Sequence, residues 1–167
     1  EIRLTSIKNK TLQLKKALLQ IKDKYDIILV DCLPSLGVLA LNGITACDRM
    51  IIPMQCEPYS LEGVAELLSS VKRVKAATNK GLQIMGIVFT MVNKMLTINK
   101  DVQQQIKASF PPELIFKTEI PRNVKISEAP SHGEPITYYD PTSAGAEAYK
   151  KLAAEVLKKS KEANIML

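Results

Sequence analysis

Apolar residues along the chain fall into two patterns, helical spacing and short continuous runs. Helical spacing comes first, at Leu14, Ala17, Leu18 and Ile21. An unbroken apolar run then covers residues 27–30 and stops at an acid, Asp31. We therefore predict a helix that leads into a buried strand, with Asp31 at the carboxyl end of that strand.

The two patterns continue to alternate through the middle of the chain. Residues 38–47 indicate a short helix, and residues 50–54 indicate a second strand with an unusual internal proline. Ser60 is a candidate N-cap for a longer helix, whose apolar face would carry Val64, Leu67, Leu68, Val71 and Val74. A third apolar run at residues 84–91 lacks alternation and is rich in branched side chains, which predicts a strand buried on both faces.

The last third of the chain completes the pattern. Helical spacing returns around Val102 and Ile106, and a further strand is predicted at residues 115–120. Proline, glycine and serine are frequent in residues 121–141, which predicts a long loop. A final helix is predicted from about Ser143, with inward-facing Tyr149, Leu152, Val156 and Leu157.

Strands that alternate with helices and are apolar throughout favour a parallel sheet with right-handed crossovers and helices on both faces. The predicted fold class is therefore α/β, an open, mostly parallel doubly wound sheet. No internal repeat, low-complexity block or linker divides the sequence. We expect a single domain over residues 1–167.

Composition narrows the class of protein only a little. The chain has 167 residues, 46% of them hydrophobic, and no uninterrupted apolar stretch of about 18 residues. With an N-terminus that lacks the apolar core of a signal peptide, this predicts a soluble, cytoplasmic protein. The net charge of +6 favours an anionic partner, but many basic proteins have none.

Cysteine and histidine usage excludes two common kinds of site. Cys32, Cys47 and Cys56 are an odd number without C-x-x-C spacing, and His132 is the only histidine. Neither a disulfide framework nor a zinc site is indicated. The three cysteines are expected to be buried free thiols.

Asp31 is the first candidate for chemistry. In an open parallel sheet, ligands bind beyond the carboxyl ends of the strands, where Asp31 is expected. A strand that ends in Asp is typical of nucleoside triphosphatases, in which the acid holds magnesium, often through water. The alternative is an acid that caps the following helix. The loop that cradles phosphates, G-x-x-x-x-G-K-[ST], is absent from the sequence.

Five stretches together resemble the ParA/Soj family of chromosome and plasmid partition ATPases, and more distantly MinD. They are YDIILVDCLPSLG, IIPMQCEPYSLEG, FTMVNK, IPRNVKISEAPSHGEPI and YDPTSAGAEAY. The resemblance runs from about residue 25 to residue 157, with the motifs in the family's order. It implies a P-loop NTPase fold and a deviant Walker A loop, KGGxGKT, which in the family precedes all of these motifs. The chain thus resembles the C-terminal part of such a protein, N-terminally truncated.

The resemblance assigns roles near the phosphates. Asp31 matches the Walker B acid, which binds magnesium through water and serves catalysis. Pro34 and Gly37 match the second switch, near the terminal phosphate. Gln55 and Glu57 match a turn after the second strand that contacts the nucleotide region or the opposite subunit, although polar residues at a strand end are usually loop residues.

The resemblance also assigns residues to the base of the nucleotide. Asn93 matches an asparagine that reads the adenine edge, for which an amide supplies both a donor and an acceptor. A loop that packs against the base is matched by Pro121, Arg122, Asn123 and Val124. The alternative for that loop is a rigid turn made by its proline.

Family members bind duplex DNA without sequence preference, which requires cations rather than a base code. The matching candidates here are Lys72, Arg73, Lys75, Arg122 and Lys125. A solvated helix face explains the first three of them nearly as well. His132, Tyr138 and Tyr139 are left out of the site, because a lone loop histidine is usually structural or exposed and the tyrosines are expected to pack.

The function implied by the resemblance is ATP- and magnesium-dependent partition of DNA. Two subunits would sandwich ATP, the homodimer would bind the bacterial nucleoid, and a centromere-binding ParB-like protein would trigger hydrolysis. Without a phosphate loop, the chain alone is expected to be inactive. Two alternatives stay open: a MinD-like membrane-cycling ATPase, because the chain ends KKSKEANIML, and a non-catalytic fragment that binds a partner.

Overall fold

The computed structural model describes residue 4, residues 6–32 and residues 37–162 of the chain. Pro34, the rest of residues 33–36 and the tail at 163–167 lie outside the described residues. The chain divides into two compact units. The first unit comprises the residues up to Met50 together with Ala65–Ile84, and the second unit comprises Ile51–Val64 together with the residues from Met85 onward.

The fold is α/β, as the sequence predicts, and helices alternate with strands between residues 38 and 109. In chain order the described elements are α1 (Gln13–Leu18), α2 (Val38–Ala46), β1 (Arg49–Gln55), α3 (Ser60–Ala77), β2 (Gln83–Thr90), α4 (Thr97–Ser109), α5 (Val124–Glu128), α6 (Ile136–Tyr139) and α7 (Ala144–Glu162). Four short 3₁₀ turns lie at Lys10–Leu12, Lys22–Lys24, Pro112–Leu114 and Ala129–His132. The helices predicted at residues 38–47, from Ser60 and around Val102 are confirmed, as are the strands at residues 50–54 and 84–91.

Strands β1 and β2 pair in parallel and are joined by the crossover helix α3. On the far side of β2 runs the segment predicted as a strand at residues 115–120. Its N–H groups bond to β2, from Phe116 to Ile87 O and from Ile120 to Phe89 O, each at 2.9 Å. Parallel bridges lie at both ends of this segment, Ile87–Ile115 and Val92–Pro121, but the segment between them is not a continuous strand.

The core of the second unit lies on β2. Residues Gly86 to Phe89 are all buried, which confirms the prediction of burial on both faces for the centre of this strand. Val88 packs with Phe116 and Ile120 and with three side chains of α7, namely Ala148, Leu152 and Val156. Because these three are four residues apart, they form one stripe along α7.

That stripe corrects the predicted inner face of α7. Tyr149 is 39% exposed and Leu157 is 48% exposed, although both were expected to face inward. Each follows a stripe residue by one position, which turns it about 100° away from the contact. The apolar face of the helix is therefore narrower than its sequence indicates.

The first unit packs α2 against α3. Ile44, Val71 and Leu82 form its buried cluster. Asn79 closes the end of α2, since its Nδ2 donates to Ile44 O at 3.0 Å and to Cys47 O at 2.7 Å. These carbonyls belong to the last turn of a helix and have no intrahelical donor, so a buried amide is a suitable partner for them.

The strand predicted at residues 27–30 is not formed. This segment has no regular secondary structure, and Leu29 is 83% exposed. A strand exists only through hydrogen bonds to a neighbour, and among the described residues none pairs with this segment. An apolar run indicates what the chain can bury but not what it can pair with. Cys32, next to this segment, is exposed rather than buried, whereas Cys56 is buried as expected.

The loop predicted at residues 121–141 contains ordered helical turns. Asn123 starts α5 by accepting the N–H groups of Lys125 at 2.9 Å and Ile126 at 3.3 Å on its side-chain oxygen. Two interactions of Tyr139 close the segment, a hydrogen bond to Glu128 at 3.1 Å and ring stacking on His132 at 4.8 Å. Packing of Tyr139 is thus confirmed, whereas Tyr138 is 78% exposed and the same expectation for it was wrong.

Glu155 connects α7 to the segment at residues 115–120 through hydrogen bonds. Its two carboxylate oxygens accept the backbone N–H groups of Lys117 at 2.8 Å and Thr118 at 2.9 Å. Desolvation alone would raise the pKa of Glu155, but these hydrogen bonds and the charge of Lys159 outweigh it and lower the pKa. The ionised carboxylate is therefore the form that stabilises the fold.

We expect Glu155→Gln to lower the free energy of unfolding at pH 7 by about 1 kcal/mol, because one charged acceptor is lost. Since the folded pKa is lowered, the contribution is complete above the unfolded-state pKa of about 4.3 and is lost as pH falls through the folded value. Urea unfolding at several pH values measures both effects. Glu147→Gln, at an exposed ion pair on the same helix, should cost less; an equal cost would contradict this role of Glu155.

Candidate functional site

Polar residues meet at the carboxyl ends of the strands in the second unit. Gln55 ends β1 and Glu57 follows it, while Asn93 follows β2. Two backbone bonds at 3.0 Å, from Val92 N to Ile120 O and from Arg122 N to Val92 O, hold the 121–122 turn beside the end of β2. This is the edge of a parallel sheet at which ligands bind.

Asn99 connects the ends of the two strands, and no motif in the sequence singles it out. Its side chain is 7% exposed; Oδ1 accepts from Asn93 N at 2.7 Å, and Nδ2 donates to Cys56 O at 2.8 Å. The available signal was its position on α4, three residues before Val102, which places an amide on an apolar helix face.

The side chain of Asn93 is half-buried and only partly used within the protein. Its Oδ1 accepts from Met95 N at 3.1 Å. Among residues 6–32 and 37–162, no acceptor pairs with its Nδ2. The amide therefore retains a donor, and one further lone pair on oxygen, for a ligand.

The chain turns out of β2 through a strained residue. Met91 has φ 51°, a left-handed conformation that is uncommon for a residue other than glycine. Such strain is frequent at functional sites. The turn also leaves apolar surface around Asn93, because Met95 is 89% exposed and Leu96 and Ile98 are each 45% exposed.

Two cavities lie beside Asn93 and Asn99, and both residues line each cavity. The smaller, of about 150 Å³, is lined by Gln55, Cys56, Glu57, Pro58, Met91, Asn93, Leu96, Ile98, Asn99 and Arg122. The larger, of about 450 Å³, is lined by Val92, Asn93, Lys94, Asn99, Lys100, Gln103 and Glu119. The larger volume lies within the range usual for small-molecule sites.

The four residues of the predicted base-packing loop, 121–124, differ in what they contact. Arg122 lines the smaller cavity, and Pro121 forms the parallel bridge to Val92. Asn123 uses its side-chain oxygen to cap α5, and Val124 is 70% exposed. The structure thus brings Arg122 and Asn93 to one cavity, and the contact of this loop with a base remains a prediction.

Asp31 and Gly37 belong to the first unit. Asp31 is exposed and directly follows residues 27–30 in a part of the chain without regular secondary structure, and Gly37 is the N-cap residue of α2. Pro34, the other predicted switch residue, lies outside the described residues. The neighbouring Cys32 is exposed as a residue, but partial desolvation raises the pKa of its thiol and the charge of Asp31 raises it further.

The exposed carboxylate of Asp31 can supply only part of the ligands that a magnesium ion needs. Magnesium is usually held by one or two carboxylates together with substrate phosphates and water. Within the described part of the chain, no three His, Cys, Asp or Glu side chains converge on one point. Asp31 can therefore supply one contact, directly or through water, to an ion that is mainly held by a nucleotide.

The candidate DNA-binding cations are in two places. Lys72 and Arg73 are exposed on α3 in the first unit, where Arg73 also donates to Ser70 Oγ at 2.9 Å, and Lys75 is half-buried. Arg122 is exposed in the second unit. Lys125 forms an ion pair with Glu128 at 2.8 Å, and this hydrogen bond raises the pKa of Lys125 and lowers that of Glu128. Its positive charge is thus partly neutralised.

The helices in the described ranges include none that is long and apolar enough to cross a bilayer.

Comparison with known proteins identifies the family of the chain. A family model described as "AAA domain" matches residues 1–84. The chromosome-partitioning ATPase Soj of Treponema pallidum (strain Nichols) is 48% identical over 93% of this chain and 61% of its own length. The chromosome partitioning protein ParA of Caulobacter vibrioides (strain NA1000 / CB15N) is 38% identical over 97% of the chain and 61% of its own length. The chain thus spans less than two thirds of these relatives.

Solved structures agree on the fold. Cobyrinic acid a,c-diamide synthase from Mycobacterium smegmatis, with bound ATP analogue and magnesium, has a TM-score of 0.78 at 30% identity, covering 97% of this chain and 59% of that one. The cell division ATPase MinD of Pyrococcus furiosus has a TM-score of 0.72 at 25% identity, covering 89% and 58%. The predicted P-loop NTPase type of α/β fold and the resemblance to ParA/Soj proteins are both confirmed. The chain belongs to the AAA domain family, and it is similar in sequence to the chromosome-partitioning proteins Soj and ParA.

Proposed function

We propose that the chain is the C-terminal part of a ParA-type ATPase that partitions a bacterial chromosome or plasmid. The observation that carries the proposal is the position of Asn93, whose partly free amide lies with Arg122 at the carboxyl ends of adjacent parallel segments. This is where an α/β sheet binds nucleotides. The names of the relatives at 38–48% identity supply the process.

The proposed reaction is attack of water on the γ-phosphate of ATP. Magnesium would neutralise the negative charge that accumulates on the phosphates. Asp31 would hold the ion through water, and residues 34–37 would adjoin the terminal phosphate. Asn93 would bind the base, with the 121–124 turn beside it.

In the intact protein, two subunits would enclose ATP and the dimer would bind duplex DNA through phosphates. Arg122, Lys72 and Arg73 are suited to this contact because all three are exposed cations. Lys75 and Lys125 would contribute less, since the first is half-buried and the second is paired with Glu128. A ParB-like centromere-binding protein would stimulate hydrolysis, and the complex would reside on the nucleoid.

A chimaera tests the proposal. The 167-residue chain alone should show no magnesium-dependent ATP hydrolysis, because its sequence has no G-x-x-x-x-G-K-[ST] loop. A chimaera in which the chromosome-partitioning ATPase Soj of Treponema pallidum supplies the part of its length that this chain does not match should hydrolyse ATP and retain nonspecific duplex DNA only when ATP is present. Lys72→Ala should weaken that retention equally for all DNA sequences, because this exposed cation lines neither cavity. A folded chimaera without hydrolysis, or hydrolysis by the chain alone, would refute the assignment.

A further inference from the structure

Two hydrogen bonds hold Asn93, one at its backbone N–H and one at its side-chain oxygen. Its N–H donates to Asn99 Oδ1 at 2.7 Å, and its Oδ1 accepts from the N–H of Met95 at 3.1 Å. The first bond sets the position of the residue at the end of β2. The second sets which side-chain atom is oxygen, because Nδ2 cannot accept from Met95 N.

Asn99 can occupy its own site in one orientation only. Its Oδ1 faces a donor, Asn93 N, and its Nδ2 faces an acceptor, Cys56 O, at 2.8 Å. If Oδ1 and Nδ2 of Asn99 changed places, Nδ2 would face the Asn93 N–H and Oδ1 would face Cys56 O, and neither pair could form a hydrogen bond. Because the side chain is only 7% exposed, water cannot compensate for those contacts. Asn99 is therefore a rigid support for residue 93.

A fixed amide distinguishes purines. Adenine presents a donor, its N6 amino group, beside an acceptor, N7, and an asparagine pairs with both atoms. Guanine presents two acceptors, O6 and N7, at the same edge. A freely rotating amide could turn to suit either base. The amide of Asn93 cannot turn without losing the hydrogen bond from Met95 N.

We propose that Asn99 is a positioning residue that, with the Met95 N–H, holds the Asn93 amide in the orientation that binds adenine and rejects guanine. This inference rests on the proposed function, in which Asn93 reads the base. It assigns specificity to a buried residue of α4 that lies behind the base-reading amide.

Nucleoside monophosphates provide the test, because they present the base without requiring a phosphate loop. The 167-residue chain, labelled with ¹⁵N, is titrated with AMP and with GMP, and each Kd is taken from amide shifts. The variants are Asn93→Ala, Asn99→Ala and, as a matched control, Gln104→Ala, which removes an exposed amide from the same helix. Hydrogen exchange of the Asn93 N–H reports its bond to Asn99 directly.

We expect the unmodified chain to bind AMP about 10-fold more tightly than GMP, the value of one good hydrogen bond. Asn99→Ala should reduce this preference to about 2-fold and speed exchange of the Asn93 N–H, whereas Gln104→Ala should change neither. Asn99→Asp, which keeps an acceptor for the Asn93 N–H, should retain more of the preference than Asn99→Ala. It serves as the second variant if the alanine protein does not fold.

The possible failures separate the two claims. If Asn93→Ala abolishes the preference for AMP while Asn99→Ala leaves it intact, Asn93 reads the base and the positioning role of Asn99 is overturned. If Asn99→Ala does not fold and Asn99→Asp binds AMP and GMP equally, the positioning role is overturned too. If the unmodified chain shows no preference, or Asn93→Ala retains it, the base-reading role itself is overturned and this inference with it.

Discussion

Asp31→Ala should lower magnesium-dependent ATP hydrolysis by the chimaera about 100-fold, since the metal's stabilisation of charge on the transferred phosphoryl group is worth several kcal/mol. The residue is exposed, so the substitution should leave the free energy of unfolding nearly unchanged. Initial rates at several magnesium concentrations measure the loss. Raising the magnesium concentration should restore part of the rate, because Asp31 would act by holding the ion.

Asp26→Ala is the matched control for this prediction. Asp26 is an exposed acid of the same segment, five residues earlier, and neither the sequence pattern nor the resemblance assigns it a role. Its substitution should leave the rate within about 2-fold of the starting value. Equal losses in the two variants would mean that Asp31 contributes only to the general charge of the segment, and the Walker B assignment would be wrong.

Gly86→Ala should be strongly destabilising. Gly86 lies in the buried centre of β2 with φ 156°, and a Cβ there would stand 2.9 Å from Leu114 O and 3.0 Å from the ring of Phe116. The carbonyl is backbone and the ring is 2% exposed, so neither can move without disturbing the core. We expect a loss of about 3 kcal/mol from strain and overpacking together. Urea unfolding measures it as a lower midpoint at unchanged slope.

Gly133→Ala separates the two causes. Gly133 has a φ of 68° but open space within 4 Å of its Cβ position. Its replacement should cost only the backbone term, about 1 kcal/mol. If both substitutions cost the same, the close approach of β2 to the 114–116 segment has no energetic consequence, and the packing described for this core would be wrong.

Local pattern was sufficient for most elements of the fold. The helices α2, α3, α4 and α7 and the strands β1 and β2 all occur where apolar spacing predicts them, because each pattern records which face of its own segment is buried. The same signal overestimated the buried face of α7, where Tyr149 and Leu157 are exposed. Spacing indicates that a face is apolar but does not measure how much of that face a neighbour covers.

The sequence predicted only those residues of the site that belong to a recognisable motif. Asn93 and Arg122 were identified from motifs, and both line the smaller cavity. Asn99 has no motif of its own, and its importance arises from bonds to Asn93 N and Cys56 O, which are 6 and 43 residues away in the chain. Such partners are set by how α4 packs on the strand ends, which no local window contains.

The sequence by itself determined the α/β class, the places of most of the longer helices and of both strands, and the resemblance to ParA/Soj proteins. Apolar periodicity and motif order are properties of contiguous residues, so they can be recognised without knowing which residues are in contact. The tertiary structure alone decided that residues 27–30 have no strand partner among residues 6–32 and 37–162, that Asn123 and Glu128 order the segment after residue 121, and that Asn99 supports Asn93. Each depends on a hydrogen-bonding partner, and the folded chain determines whether that partner is within reach.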